Sequence, residues 1–414
     1  MRRRIHVYGI PALILAAACA SESSPVGPST IVQTPATSTI DNSAVPSSEA
    51  TTSTLLGSNS WTIDPVDLVP LDRCKIADIT PGTPDGVPFV GSGFPIPRAE
   101  AADFVNGRVW IVRIETTDAF TDEDGLQTIV GALDRISDFF SDQSFGRANL
   151  TFFVDYPGSV VTLPSTAVEF GIDRVSPQED MSYVLREALN IWDSPEDFRA
   201  GDQIFGLLPL VPTRPSIAQG IRLQIDLNGR RSGDGLLMTP GAASNWNIIS
   251  HEIGHSWLFL EDLYSFGVEG PYENYLETWD LMAAPGGPNL GFISWSRWRV
   301  GWLDDDQILC TTPVSKTRRF VHQLDSETSD LKAVAFPQSD HSALVAEVRQ
   351  GFGANADKSI VVVYEVDTSF GHGNGPIRLR GTLREVGDSL IHAEVQLSLE
   401  AIDISGALIS IAAA

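Results

Sequence analysis

Cysteine is scarce in this chain: three stand in 414 residues. That is too few for a disulfide scaffold, and they lack the paired spacing of a zinc ribbon. Basic residues are also short. Lys and Arg number 28 against 53 Asp and Glu, a formal charge of −25. A negative field repels phosphate backbones, which argues against nucleic acid as a partner. No segment approaches the ~20 apolar residues that span a bilayer. What is present is an ordinary globular composition, 43% hydrophobic and 20% charged. It excludes disorder throughout, and the length allows about two or three domains.

Met1-Arg2-Arg3-Arg4 is a positive n-region, and Ile10 to Ala18 is an apolar run of signal-peptide length. The run ends Leu15-Ala16-Ala17-Ala18-Cys19, which resembles a bacterial lipobox. Such a signal is cut before the Cys, whose thiol takes a lipid. Residues 1–18 are therefore expected to be a lipoprotein-type signal peptide, with Cys19 as lipid anchor. The location would be extracytoplasmic, at a bacterial cell surface or in the periplasm, with the membrane reached through the N-terminal lipid. Plain secretion is the alternative. Residues 19–60, rich in Ser, Thr and Pro, cannot bury enough apolar area to offset their ordering entropy and read as a disordered tether. Cys74 and Cys310 remain for an oxidising compartment, as a disulfide or as two separate buried thiols.

The folded part is expected from Trp61. Arg108–Ile114 reads as a strand by its β-branched and aromatic content, Leu126–Phe140 as an amphipathic helix, and Ala148–Tyr156 as a strand. Met181–Trp192 reads as a second helix and Asp202–Val211 as a further strand. From Thr311 the pattern changes to short β-runs at 333–336, 342–348, 359–366, 377–383 and 391–399. The expected class is α+β: a first domain over 61–312 and a β-sandwich-like module over 313–414.

The informative segment is Ile248-Ile249-Ser250-His251-Glu252-Ile253-Gly254-His255, an H-E-x-x-H on a helix that Ser244-Asn245 would start. Four residues is about one helical turn, so both imidazoles project from one face and can grip one zinc ion. Glu252 stands beside that pair, placed to take a proton from a metal-bound water and pass it to a leaving amine. Apolar Ile248, Ile249, Ile253, Trp257 and Leu258 flank the motif. Buried His and Glu need partners, and a metal satisfies all three.

With these residues in place, the chain resembles the M6 metallopeptidases, the immune inhibitor A family among metzincin-like zinc proteases. Four blocks carry the likeness, over about residues 105–370. They are Phe139-Phe140 with Ser144-Phe145-Gly146 and Leu150; His251 to His255 with Asp262-Leu263-Tyr264; Trp279-Asp280-Leu281-Met282; and Trp298 with Gly301-Trp302-Leu303. The resemblance implies a twisted sheet plus an active-site helix, one Zn2+ per chain, and a protein or peptide substrate. The family pattern H-E-x-x-H-x-x-G-x-x-D has Leu258 at its Gly and Glu261 at its acid. Asp262-Leu263-Tyr264 reproduces the family's D-L-Y one residue late, as a one-residue insertion in the turn would. Asp262 is therefore the first choice of third ligand and Glu261 the alternative. Glu273 or Glu277, on a thermolysin-like plan, is a third choice. Met282 resembles the metzincin methionine beneath the zinc, with ordinary core packing as the alternative, and Tyr264 would orient the third-ligand loop or simply pack beside it. Asp280 reads as a turn residue or a partner of a ligating His.

Weaker signals are Asp122-Glu123-Asp124-Gly125 and Asp226 to Asp234, acidic loops that a Ca2+ ion or plain solvation would suit. Trp295, Trp298 and Trp302 recur at helical spacing, as a packed face or a carbohydrate platform. The functional expectation is a zinc-dependent endopeptidase, secreted or surface-anchored, with Glu252 as general base. The alternative is a non-catalytic surface binding lipoprotein with a structural or degenerate zinc site. Hydrolysis of a non-peptide surface polymer is a third reading. Oligomeric state is not legible.

Overall fold

The computed structural model describes residues 68–79, 91–96, 103–121, 123–173, 181–209, 211, 217–221, 223, 225–227, 229–231, 233–265, 275–287, 291–353, 356–370 and 374–414. Cys19 and the expected signal and tether lie outside them. The class is mixed α+β with several sheets and few helices.

The first layer is a mostly parallel sheet. In chain order come β1 (Asn106–Glu115), α1 (Glu123–Gln143), β2 (Asn149–Phe153), β3 (Val160–Thr162), α2 (Ser182–Ile191), β4 (Gln203–Leu207) and β5 (Ala218–Ile221). A two-residue hairpin follows, β6 (Asp226–Leu227) with β7 (Arg230–Arg231), then β8 (Gly235–Met238), α3 (Pro240–Ala243), α4 (Trp246–Ser256) and α5 (Ser294–Arg299). The strand order is β2-β1-β4-β8-β5, with β3 also on β1. All pairings are parallel except β5 on β8, so β5 is an antiparallel terminal strand. α1 buries Leu126, Ile129, Leu133, Ile136 and Phe140 at helical spacing. Its first turn carries Glu123 and Asp124, where the helix dipole favours acids.

The second layer is built from β9 (Ile308–Cys310), β10 (Thr317–His322), β11 (Ala333–Pro337), β12 (Ser342–Gln350), β13 (Ser359–Asp367), β14 (Ile377–Leu383), β15 (Ser389–His392), β16 (Val395–Asp403) and β17 (Gly406–Ala413). They form two sheets, β14-β13-β12-β11-β9 and β10-β17-β16-β15. Side chains alternate across a strand, which gives the first of these sheets two buried faces. Val334, Phe336, Leu344, Val361 and Val363 share a core with Leu397, Leu399 and Ile409 of the second sheet. Ala335, Val345, Val362 and Tyr364 point the other way, into the core that holds α1, α4 and α5. The middle sheet thus belongs to both layers, which is why β12 and β13 are buried along nearly their whole length.

Three local features differ from expectation. β9 already pairs with β11, so the second layer begins before residue 313. The expected run 391–399 is a hairpin, because Ala393 adopts φ +50° and turns β15 into β16. Trp295 and Trp298 lie on α5, but Gly301 at φ +75° ends that element before Trp302. All three tryptophans are buried, so they pack and offer no carbohydrate platform. Cys74 and Cys310 form a disulfide with Cα atoms 5.9 Å apart, which ties the 68–79 segment to β9. Among the described residues no helix is long and apolar enough to cross a membrane.

Candidate metal centre and active site

Helix α4 starts at Asn245, whose side chain accepts the Asn247 N–H at 3.1 Å and satisfies a first-turn donor. The helix packs on α1, β5 and β8 and buries His251 and Glu252. His251 and His255, one turn apart, cross nearly perpendicular with their Nε2 atoms 3.1 Å apart. Each holds its other nitrogen on a backbone carbonyl: His251 Nδ1 on Leu281 O at 3.0 Å, His255 Nδ1 on Leu260 O at 2.7 Å. A carbonyl only accepts, so both Nδ1 atoms carry a proton, and in the neutral imidazoles both Nε2 atoms present lone pairs.

The chain then reverses. The Leu260 N–H returns to Gly254 O at 3.1 Å, and Phe259 adopts φ +53°. The left-handed residue, ordinarily a glycine, is here a phenylalanine three positions before Asp262. Asp262 Oδ1 stands 3.1 Å from His251 Nε2 and 3.2 Å from His255 Nε2. The other acids are elsewhere. Glu261 is buried but turns to Ser92, whose Oγ donates to its Oε1, so it is not the third donor. Glu277 is exposed and outside the cluster, and Glu273 lies outside the described residues.

Met282 underlies the helix. A Cβ placed on Gly254 would stand 2.7 Å from Met282 Sδ, so only glycine leaves room there. The backbone of Met282 ties its own turn to the Asp262 segment: its C=O accepts from Leu263 N at 3.1 Å, and its N–H donates to Asp280 Oδ1 at 2.7 Å. Asp280 Oδ2 accepts from Ile293 N at 2.8 Å. Asp280 is therefore a turn anchor, and the partner of His251 is the neighbouring carbonyl of Leu281. The Tyr264 ring lies parallel to the His251 ring, 6.4 Å between centroids.

The donors of His251, His255 and Asp262 lie within 4.8 Å of one another. Three lone pairs at this spacing repel unless positive charge lies among them. Burial works against a charged His255, yet Asp262 and Glu252 outweigh it and raise its pKa to about 9. Burial likewise works to raise Asp262, and the imidazoles pull it well below the usual carboxylate range. The cluster therefore calls for a cation. Zinc bonds of about 2.0–2.1 Å in tetrahedral array put ligand atoms about 3.3 Å apart, close to what is found. Two imidazoles and one carboxylate suit a first-row divalent ion. Glu252 is not part of this set. It is buried, which pushes its pKa up, and it accepts the Gly220 N–H of β5.

Sequence reasoning missed β5 and Gly220. A Cβ at Gly220 would meet His255 Cβ at 2.9 Å and Glu252 Oε2 at 3.5 Å, so the strand passes directly over the motif. Its four residues, Ala-Gln-Gly-Ile, carry little strand signal. The calcium expectation finds no support. Glu123-Asp124-Gly125 open α1, with Glu123 3.6 Å from Arg113, and Asp226 Oδ1 accepts Gly229 N–H at 2.6 Å within a hairpin turn. Among the described residues no other three His, Cys, Asp or Glu side chains converge.

No protein-family model and no curated protein matches the sequence. Among solved structures, "Crystal Structure of metalloproteinase-II from Bacteroides fragilis" is similar over 48% of this chain and 53% of that one, at 17% identity and a TM-score of 0.28. This chain therefore spans about half the length of that protein. A likeness so slight carries no argument about the fold or the chemistry.

Proposed function

We propose that this protein is a zinc-dependent endopeptidase of the metzincin-like, immune inhibitor A (M6) kind. The observation that carries the reading is the buried carboxylate of Glu252 beside a converging His251, His255 and Asp262. A structural site has no use for an additional buried acid, whereas hydrolysis needs a base. Among the described residues three protein donors converge rather than four, as in the catalytic pattern, which keeps one position for water.

His251, His255 and Asp262 would hold the zinc, which when bound supplies Lewis acidity and a water of lowered pKa. The chain's own residues do the rest. Leu281 O and Leu260 O fix the tautomer and direction of the two imidazoles. Glu252 takes the proton of the attacking water and gives it to the departing amine. Its raised pKa suits both directions of that transfer. β5 ends its sheet beside the motif, so an extended peptide can add to it as a further strand. The 61–312 region is the peptidase and 313–414 the β-module in this reading. The buried disulfide supports an extracytoplasmic location, and Cys19 would carry the lipid.

The test is elemental analysis and digestion of unfolded casein. About one zinc per chain is expected, with cleavage by the native sequence and none by Glu252→Gln, which keeps its zinc. Zinc without cleavage of any peptide would favour the structural-site lipoprotein. No zinc would overturn the proposal. In the same preparations, Cys19→Ser is expected to leave the membrane fraction.

A further inference from the structure

We propose that the β-module is part of the support of the metal centre: Glu347, Arg349 and Tyr364 are positioning residues for His251. This rests on the functional reading above. β12 carries Glu347 and Arg349, and β13 carries Tyr364. All three are essentially fully buried and reach the first turn of α5 and the residues just before it.

Each of the three bonds to backbone there, and they bond to one another. Glu347 Oε2 accepts the Ser294 N–H at 2.7 Å and the Tyr364 O–H at 2.9 Å. The Tyr364 oxygen accepts the Trp295 N–H at 3.3 Å and lies 3.0 Å from Ser294 Oγ. Arg349 Nη1 donates to Phe292 O at 3.1 Å and to Glu347 Oε1 at 3.1 Å. The segment so held continues to the metal centre by two links. Ile293 N–H binds Asp280, and Gly291 O accepts the Leu281 N–H at 2.8 Å. Leu281 O is in turn the acceptor for His251 Nδ1. From Tyr364 to His251 every step is a hydrogen bond or a short run of backbone.

A buried ion pair is weak evidence for stability, since apolar replacements often serve as well. Directional bonds do something packing does not: they fix where a backbone carbonyl points. The orientation of a ligating imidazole depends on that carbonyl, and loss of such an outer contact typically costs about 10–100-fold in metal affinity. The middle sheet, with one face in each layer, is what brings sandwich side chains within reach.

The experiment compares Tyr364→Phe and Glu347→Gln with Leu397→Ala in the full chain. Leu397 is buried in the core between the two sandwich sheets and has no polar link to the centre. Three quantities are read: thermal midpoint, Co2+ affinity by chelator competition, and the visible spectrum of the Co2+ protein. Tyr364→Phe and Glu347→Gln are expected to weaken Co2+ binding about tenfold and to shift its bands. Leu397→Ala is expected to lower the midpoint at least as far while leaving affinity and bands unchanged. Native affinity and bands in both polar variants would overturn the proposal. So would equal shifts in Leu397→Ala. A native chain that binds no Co2+ would instead sink the functional reading, and this inference with it.

Discussion

At Asp280 two backbone amides, those of Met282 and Ile293, meet one buried carboxylate at 2.7 and 2.8 Å. Burial raises its pKa from 3.8 to about 6, and neither the two amides nor Arg349 cancels that effect. Between about pH 4 and pH 6 the folded chain keeps a proton here that the unfolded chain has released. Stability therefore falls as pH rises through that window. A shift of about two units amounts to about 3 kcal/mol by neutral pH. Asp280→Asn removes the titration while retaining the shape. Urea denaturation of the metal-free protein from pH 4 to 7 is expected to show the native sequence losing ground to the variant as pH rises. A difference independent of pH would mean that Asp280 ionises as an ordinary carboxyl does.

The helix α4 and the turn that follows show how far sequence reaches at the scale of elements. A helix carrying His251 and His255 was legible because 3.6 residues per turn fixes which side chains share a face. The helices α1 and α2 and the strands β1, β2 and β4 were legible for the same kind of reason. The turn was less so. Its reversal depends on Phe259 at φ +53°, a backbone state that phenylalanine does not advertise. The D-L-Y string nonetheless marked Asp262, which the structure brings to both imidazoles. Strand β5 was invisible, since what places it is tertiary pairing with β8. The division of labour between the two acids of the turn can be tested directly. Asp262→Asn is expected to weaken metal binding by about 100-fold or more. Glu261→Gln is expected to change it less than about tenfold, because its carboxylate faces Ser92. The cost of Glu261→Gln falls on stability instead, about 1–3 kcal/mol, since buried Arg299 loses a neighbouring charge. Chelator competition on both variants decides, and equal losses of affinity would make Glu261 a ligand as well.

Over the whole molecule the two layers are joined by a shared sheet, and one covalent link ties the 68–79 segment to β9 of the second layer. Cys74 and Cys310 are 236 residues apart in sequence, so their bond closes a loop containing the entire first layer. Closing so long a loop removes much of the freedom of the unfolded chain, worth about 2–5 kcal/mol by experience with native disulfides. Both sulfurs are buried, which leaves little access for a reductant while the protein is folded. The double substitution Cys74→Ser, Cys310→Ser is therefore expected to lower unfolding free energy by about 2–5 kcal/mol. Metal affinity at low temperature should stay unchanged, because neither sulfur belongs to the cluster of His251, His255 and Asp262. Mild reductant on the native protein should do little, and the same reductant during thermal unfolding should match the double variant. If the double variant were as stable as the native chain, the closed loop would contribute nothing to stability.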